Sequence, residues 1–542
     1  MKNLKAQFKL IIYLFLLLNI HNTLLTRNLD KFSDSGDIAN YFSGILSKNN
    51  YQYKKSYYYL KSLNNLEDFH YTYSQHYQHS LVALGKFKEA AGYTKKLNDK
   101  KLDNFESNLI SIIYHLENED FKNASSYLQK LKNNSQPDTV QDLVSRSLNI
   151  WLNFKNIEDL GSALKLLDTV PKRFNNIKNI QKTFVYCYFD SPKADIMFKQ
   201  LILSSNVDYT RYNFFYSNYL ISKNNEKKAQ EVLGSSLKQN PNNLILNQLK
   251  IDLIKKKTFN NKFECKNTTD VMAEIFYVIA NALSSQNNYI ASNFYLNLAR
   301  YLNPNFVSYD SLYAENFFLI NEYEKAKKIY NQIKQKGSTY NWYASKQIAS
   351  ILSEQNQKKD SIKSLKNSFI RLENPTIYEI FDYAEFLKNN DKYKESIKYY
   401  SDVLNSIDSK NALYGKAVDG RGIAYERTDQ WNKAEIDLLN SLNASPNDAY
   451  AINYLAYSWI EKGVNIKKSL SMLEKANKLR PNDGYIIDSL GWALFKLKKY
   501  KEAKKQLELA VIFMASDPVV NDHYADALWM NNKSLQARYY WN

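Results

Sequence analysis

Small and large apolar side chains alternate in a regular pattern along the last third of the chain. Small residues recur at fixed places in a unit of about 34 residues, as at Ala456, Ser469 and Ala476, and large apolar residues stand between them. Two helices approach to about 8–10 Å only where the contacting side chains are small. The pattern therefore predicts a series of antiparallel helix pairs, and we name the two helices of each unit A and B.

Prolines separate one unit from the next. A residue before a proline avoids helical backbone angles, so Pro446 and Pro481, at corresponding places in two units, are expected to end helix B. The same phase continues upstream with decreasing regularity, and about 14 units can be counted. The predicted fold class is all-α, a right-handed α-α superhelical solenoid in which each unit contacts only its neighbours.

Interruptions of this pattern divide the chain into segments. Residues 255–270 are rich in Lys and Asn and lack helical periodicity, which predicts a break between two arrays. Asp37 is a candidate N-cap for the first helix. We predict a signal peptide or uncleaved anchor at 1–26, a polar linker at 27–36, a degenerate first array at 37–243, an irregular connector at 244–272 and a second array at 273–542.

The N-terminus has the pattern of an export signal. Three lysines precede an apolar run from Leu10 to Ile20, and a basic start followed by about 7–15 apolar residues is typical of secretory signals. The run is shorter than the roughly 20 residues that a bilayer-spanning helix needs. We therefore expect an exported bacterial protein of the periplasm or cell envelope. Its mature form should begin between Arg27 and Asp37, and an uncleaved anchor is the alternative.

The formal net charge of +18 does not by itself point to nucleic acid. The excess is mostly Lys, which accompanies a high content of Asn, Ile and Tyr, and all four are encoded by A/T-rich codons. The lysines scatter along predicted helix faces instead of forming one basic patch. We do not expect a nucleic-acid partner, whereas peripheral association with an anionic membrane surface is compatible with the charge.

The two cysteines, Cys187 and Cys265, lie in different repeat units. Two cysteines cannot form a disulfide framework for a chain of 542 residues. Units separated by a whole repeat should not touch in a simple solenoid. We therefore expect two buried thiols and no disulfide.

The A helices should line the concave face of the solenoid, where a ligand would bind. Aromatic residues alternate there with Asn and Asp. Trp and Tyr are enriched at binding hot spots, and Asn and Asp side chains can hydrogen-bond an extended peptide. The alternative is that a neighbouring helix or the end of the chain buries these aromatics. The predicted groove residues are Tyr450, Asn453 and Tyr457 in one unit, Tyr485, Asp488, Trp492 and Phe495 in the next, and Asp522, Asp526 and Trp529 in the last.

Catalytic and metal-binding patterns are absent from the sequence. His76 and His79 could share a helix face, but no third ligand has a matching spacing. His523 stands isolated, and its neighbour Asp522 would point in a different direction along a helix. There is no glycine-rich phosphate loop and no nucleophile elbow. We predict that the protein is not an enzyme and has no metal, no cofactor and no small-molecule substrate.

The segments Leu479–Leu494 and Asp517–Trp529 resemble the tetratricopeptide-repeat proteins, and in particular the long exported ones of alphaproteobacteria. The resemblance is firm over about 415–542 and fair from about 273. It implies a non-catalytic repeat scaffold that binds proteins or peptides in assembly or maintenance of the cell envelope. The alternative is a repeat module associated with a glycosyltransferase or a polysaccharide-export system.

Some repeats of this kind grip an acidic chaperone tail through Lys and Asn residues on the groove face. Asp419, Asp488 and Asp522 occupy the groove face here and would repel a carboxylate terminus. The sequence therefore argues against that mode of binding.

Overall fold

The computed structural model describes residues 35–63, 65–154, 157, 159–204, 208–255 and 263–542. The predicted signal peptide and residues 27–34 of the predicted linker lie outside the described residues, as do residues 256–262 of the predicted connector. The secondary structure of the described residues is helical, without a β-strand. The prediction of an all-α fold is confirmed.

The chain divides into two compact units, unit 1 at 1–347 and unit 2 at 348–542, so the boundary does not coincide with the predicted connector. Two short 3-10 helices, Leu66–Asp68 and Lys172–Phe174, also lie in unit 1. The α-helices of unit 1 are α1 Ser35–Asn49, α2 Tyr53–Lys61, α3 Tyr71–Ala83, α4 Phe87–Asp99, α5 Phe105–Glu117, α6 Phe121–Asn133, α7 Val140–Asn153, α8 Leu160–Leu167, α9 Asn175–Tyr188, α10 Ala194–Ile202, α11 Tyr212–Ser222, α12 Glu226–Gln239, α13 Leu244–Ile254, α14 Thr268–Ser285, α15 Tyr289–Leu302, α16 Val307–Leu319 and α17 Tyr323–Ile333.

Helix α18, Ser338–Glu354, includes the last residues of unit 1 and the first of unit 2. The remaining helices of unit 2 are α19 Lys358–Ile370, α20 Ile377–Asn389, α21 Tyr393–Asn405, α22 Tyr414–Glu426, α23 Trp431–Ala444, α24 Ala449–Glu461, α25 Ile466–Leu479, α26 Gly484–Lys496, α27 Tyr500–Phe513, α28 Pro518–Met530 and α29 Ser534–Trp541.

Local sequence signals fix the ends of these helices. The A helices α24, α26 and α28 each begin after an aspartate, and its carboxylate accepts hydrogen bonds from backbone amides of the first turn; at Asp483 these come from Tyr485 and Ile486. The turn from A to B contains a residue with positive φ, as at Asn532 with φ of 59°. That conformation is common where a helix ends, and Asn tolerates it better than most residues.

The small residues of the repeat lie where helices cross in unit 2. Ala503, Leu507 and Ala510 on α27 are fully buried. A Cβ atom added at Gly491 on α26 would come within 2.6 Å of the Leu507 Cγ atom, so only glycine permits this approach. Each A helix also contacts the next one, α24 with α26 and α26 with α28. The predicted pairing and the stacking of successive pairs are confirmed in unit 2.

Unit 1 departs from nearest-neighbour stacking. Helix α15 packs against both α3 and α5, and helix α14 packs against α7 and α9. Ring contacts accompany this packing: His79 stacks on Phe294 with ring centroids 4.7 Å apart, and Phe87 stacks on Tyr301 at 3.9 Å. The physical reason lies in helices such as α5, which is apolar on nearly every side and must bury more surface than its sequence neighbours cover.

This folding corrects three expectations. Cys187 and Cys265 form a disulfide, with Cα atoms 5.8 Å apart, because the segment that precedes α14 returns to the side of α9. The predicted connector at 244–272 is not irregular throughout, since α13 begins at Leu244 and α14 begins at Thr268. The first helix begins at Ser35, so Asp37 lies within its first turn and is not its N-cap.

Candidate functional site

The predicted groove residues lie on three successive A helices of unit 2. Helix α24 carries Tyr450, Asn453 and Tyr457; α26 carries Tyr485, Asp488, Trp492 and Phe495; α28 carries Asp522, Asp526 and Trp529. Since α26 contacts both α24 and α28, the structure brings these residues to one face. We call it the A face of unit 2.

A buried contact between a histidine and an aspartate forms the floor of this face. The Nδ1 atom of His523 on α28 lies 3.0 Å from both carboxylate oxygens of Asp488 on α26. Both side chains are buried. The Trp492 ring stacks on the His523 ring with centroids 4.0 Å apart and planes 12° apart. Because two rings and a carboxylate hold one another, the floor is a fixed surface and not a set of free side chains.

Trp492 is the centre of this floor. Phe495 lies parallel to it at a centroid distance of 4.8 Å, and its indole Nε1 donates a hydrogen bond to Glu461 Oε1 at 2.7 Å. The Lys496 Nζ atom also lies over this ring, 4.6 Å from its centroid. Trp492 is consequently only 8% exposed. A partner bound at this face could therefore contact only a small part of its side chain.

Three aromatic side chains of the A face are exposed instead. Tyr450, Tyr485 and Trp529 are 50%, 59% and 45% exposed. The Tyr450 hydroxyl donates to Asp483 Oδ2 at 2.8 Å, and this carboxylate raises the pKa of Tyr450. The Trp529 ring has the ring of Trp541 as a neighbour, with centroids 5.6 Å apart. These exposed rings form a rim around the buried floor.

The remaining predicted residues lie between rim and floor. Burial raises the pKa of Tyr457 to about 12, and burial together with the charge of Asp522 raises the pKa of Asp526. The Oδ1 atom of Asn453 is buried and has no hydrogen-bond partner among the described residues. Asp522 is exposed. The A face thus combines exposed rings with an exposed carboxylate and one buried amide oxygen that lacks a partner among the described residues. That a peptide binds there stays a prediction.

His523 was missed as a member of this face, since it was considered isolated in the sequence. Its partner is Asp488, 35 residues upstream, and not the adjacent Asp522. One repeat corresponds to about 34 residues, so a search for His and Asp one repeat apart would have found the pair. Among the described residues, no group of three His, Cys, Asp or Glu side chains could hold a metal ion.

Comparison with known proteins identifies a relative in sequence. No family model matches the chain. A protein of Pseudomonas aeruginosa described as TPR repeat-containing is 27% identical over 135 residues, which cover 24% of this chain. The match spans only 21% of the length of that relative.

Solved structures with weak overall similarity include MamA of Desulfovibrio magneticus, at 14% identity, 30% of this chain and 90% of that chain, with a TM-score of 0.27. Another is PilF of Pseudomonas aeruginosa, at 16% identity, 30% of this chain and 72% of that chain, with a TM-score of 0.27. The 34-residue period and the stacked helix pairs of unit 2 form an all-α repeat solenoid, and its sequence is similar to that of a TPR repeat-containing, that is tetratricopeptide-repeat, protein.

Proposed function

We propose that the protein is a non-catalytic scaffold that binds a protein or peptide partner through the A face of unit 2. The observation that carries this proposal is the row of exposed aromatic side chains, Tyr450, Tyr485 and Trp529, above the fixed floor of Asp488 and His523. Exposed aromatic rings that are held in place provide contact area at a low cost in conformational entropy.

The polar atoms of the face suit a peptide backbone. Asp522 is exposed, and the Asn453 Oδ1 atom lacks a partner among the described residues. Both are acceptors that a backbone amide of the partner could satisfy. An unpaired buried acceptor costs about 1–3 kcal/mol, so a ligand amide that reached Asn453 would recover part of that cost.

Unit 1 is a weaker candidate for the same role. Its helices α14 and α15 already pack against the helices that precede them, including α3, α5, α7 and α9. The surface that a simple solenoid would leave for a partner is there covered by the chain itself. This contrast favours unit 2 as the binding part of the molecule.

Site-specific photocrosslinking in cells tests this function. A photoreactive phenylalanine analogue replaces Tyr485 or Trp529 in the full chain, and Phe513, an exposed aromatic on the B helix α27, serves as the matched control. We expect positions 485 and 529 to crosslink to the same polypeptide and position 513 not to do so. Crosslinking that is equal at all three positions, or absent from 485 and 529, would contradict the proposal.

We further propose that the protein is exported to the bacterial cell envelope. The basic and apolar pattern of residues 1–26 supports this, and so does the Cys187–Cys265 disulfide, because disulfides persist mainly in oxidising compartments. No helix in the described part of the chain has both the length and the hydropathy needed to cross a membrane. N-terminal sequencing of the protein from a periplasmic fraction should begin between Arg27 and Asp37; intact Met1 in the cytoplasm with two free thiols would contradict export.

A further inference from the structure

The turns from helix A to helix B in the last three repeats lie side by side along one edge of unit 2. Successive A helices run in the same direction, because each is antiparallel to the B helix between them, and so their C-terminal ends meet at this edge. Two contacts join the turns: Trp492 Nε1 donates to Glu461 Oε1 at the end of α24, and Asn531 Nδ2 donates to the Tyr500 carbonyl oxygen at the start of α27. We call the exposed surface of residues 461–468, 496–502 and 530–538 the basic edge.

The charge of this edge is strongly one-sided. It holds nine Lys or Arg side chains, all of them exposed, and two Glu side chains. The opposite edge, formed by the turns from B to A at 444–450, 479–485 and 513–519, holds one Arg and three Asp side chains, and each Asp caps an A helix. Lysines that look scattered in the sequence are thus brought together, because stacking places residues one repeat apart next to each other.

Few of these cations are neutralised within unit 2. Two of the nine form ion pairs, at the long distances of 3.9 and 3.7 Å, Lys496 with Glu461 and Lys499 with Glu502. The other seven have no carboxylate within ion-pair distance among the described residues. Like charges held close together repel one another, so an anionic surface that covered this edge would relieve the repulsion.

Exposed apolar side chains lie among the cations. Leu535 and Tyr539 are 84% and 79% exposed and lie one turn apart on α29, so they share a face. Val464, in the first of the three turns, is 42% exposed. Leu535 stands one repeat after Lys501, which is exposed although a further repeat follows it. The exposure of Leu535 is therefore a property of its place in the repeat.

Cations with apolar side chains among them match the boundary of an anionic bilayer. Lys and Arg are attracted to the negative headgroups, while apolar and tyrosine side chains enter the interface between headgroups and hydrocarbon. Duplex nucleic acid would attract the same cations through its phosphates. It has no hydrocarbon region for Leu535 and Val464, so the two observations together favour lipid.

We propose that the basic edge of unit 2 docks on the anionic surface of a lipid bilayer, with its lysines at the headgroup phosphates and with Leu535 and Tyr539 in the interface. Tyr450 and Tyr485 of the A face lie near the opposite ends of their helices, so they stay free for a partner while the edge is docked. The proposal adds a second interaction to the function proposed above and does not depend on it.

A fluorescent label at the edge tests the contact directly. Leu535→Cys in the full chain gives a single reactive thiol, because the two native cysteines form a disulfide, and an environment-sensitive dye is attached to it. Ile512→Cys, 68% exposed near the opposite edge, is the matched control. Vesicles of phosphatidylglycerol and phosphatidylcholine in equal parts should shift the dye emission to shorter wavelength at position 535 and not at 512. Vesicles of phosphatidylcholine alone should shift neither.

Neutralising two lysines tests the role of charge. Lys467→Gln with Lys501→Gln in the labelled chain should weaken binding to the anionic vesicles by about 25-fold, since each basic residue near such a surface contributes about fivefold. Lys475→Gln with Lys478→Gln is the matched control, because these lysines lie about 12–16 Å further along α25 than Lys467, beyond the screening length of about 8 Å at physiological salt. It should leave the affinity nearly unchanged. All variants share residues 1–26, so any membrane affinity of that segment is common to them.

Circular dichroism checks that each variant is folded. The proposal would be overturned by an unshifted emission at 535, by equal shifts at 535 and 512, or by equal losses of affinity in the two pairs of lysine variants. A shift at 535 with double-stranded DNA but not with vesicles would assign the edge to nucleic acid instead. The crosslinking experiment uses positions 485 and 529 and reports on the A face, so failure of either proposal is recognised separately.

Discussion

Single residues of the A face differ in what they contribute. Asp488 and His523 are buried against each other and support the floor, whereas Tyr485 and Trp529 are exposed and available to a partner. A substitution in the floor should therefore affect folding first, and a substitution in the rim should affect binding first. Trp492 belongs to the floor, so Trp492→Ala is a poor test of binding.

His523→Ala should strongly destabilise unit 2. The substitution leaves the Asp488 carboxylate buried without its partner and removes the ring that stacks on Trp492. Loss of one partner from a buried pair costs about 3–5 kcal/mol of unfolding free energy. Urea unfolding followed by Trp fluorescence measures the change. Asp522→Ala, next to it but exposed, should change stability by no more than about 0.5 kcal/mol. Equal losses of stability in the two variants would contradict the assignment of His523 to the buried floor.

Asp419 should make unit 2 less stable as the pH rises from about 4 to about 6. Burial raises the pKa of this carboxyl to about 6, with Lys388 opposing the rise and Asp448 adding to it. The unfolded chain releases the proton near the ordinary value of 3.8, while the folded chain still holds it. The ionised group thus costs the folded state roughly 2–3 kcal/mol once the pH exceeds 6. Asp419→Asn should remove this part of the pH dependence of the urea midpoint. If the midpoint of the variant still falls equally with pH over this range, groups other than Asp419 cause the pH dependence.

At the scale of the elements, the closeness of helices A and B depends on glycine. A Cβ atom at Gly491 would lie 2.6 Å from Leu507 Cγ, so Gly491→Ala should separate α26 from α27 and destabilise unit 2 by about 1–3 kcal/mol. Gly234→Ala on α12 is the matched control, since no atom lies within 4 Å of the added Cβ. There the better helix propensity of Ala should stabilise the protein by about 0.5–1 kcal/mol. Thermal unfolding followed by circular dichroism measures whether each substitution raises or lowers the stability. A Gly491→Ala variant that is more stable than the unchanged protein would refute the close approach of α26 and α27.

The same crossing explains how much could be predicted from the sequence. Neighbouring helices meet at Gly491, Ala503 and Leu507. This contact depends on side-chain sizes at a fixed spacing, and both the sizes and the spacing can be read directly from the sequence. The packing of α15 on α3 and α5 involves residues about 200 positions apart and has no period. The assumption that each unit contacts only its neighbours excluded this packing, and with it the disulfide. The Asp488–His523 pair was visible in principle, because its members are one repeat apart.

At the scale of the whole molecule, the two units differ in how their helices pack. Unit 1 contains contacts between distant helices and a disulfide. Unit 2 stacks its helix pairs in sequence order and leaves aromatic side chains of its A helices exposed.

Reduction of the disulfide should therefore act on unit 1 alone. Cys187 and Cys265 close a loop with a sequence separation of 78, and both lie within 1–347. Such a cross-link restricts the unfolded chain, and its loss typically costs about 2–4 kcal/mol.

Hydrogen exchange followed by mass spectrometry, with and without reductant, resolves the two units because each peptide is assigned to one of them. We expect faster exchange in α9 and α14 after reduction and unchanged exchange in α26 and α28. The double variant Cys187→Ser with Cys265→Ser should exchange like the reduced protein and should not respond to reductant. An equal acceleration in α26 and α28 would contradict this expectation, because it would mean that the two units unfold together.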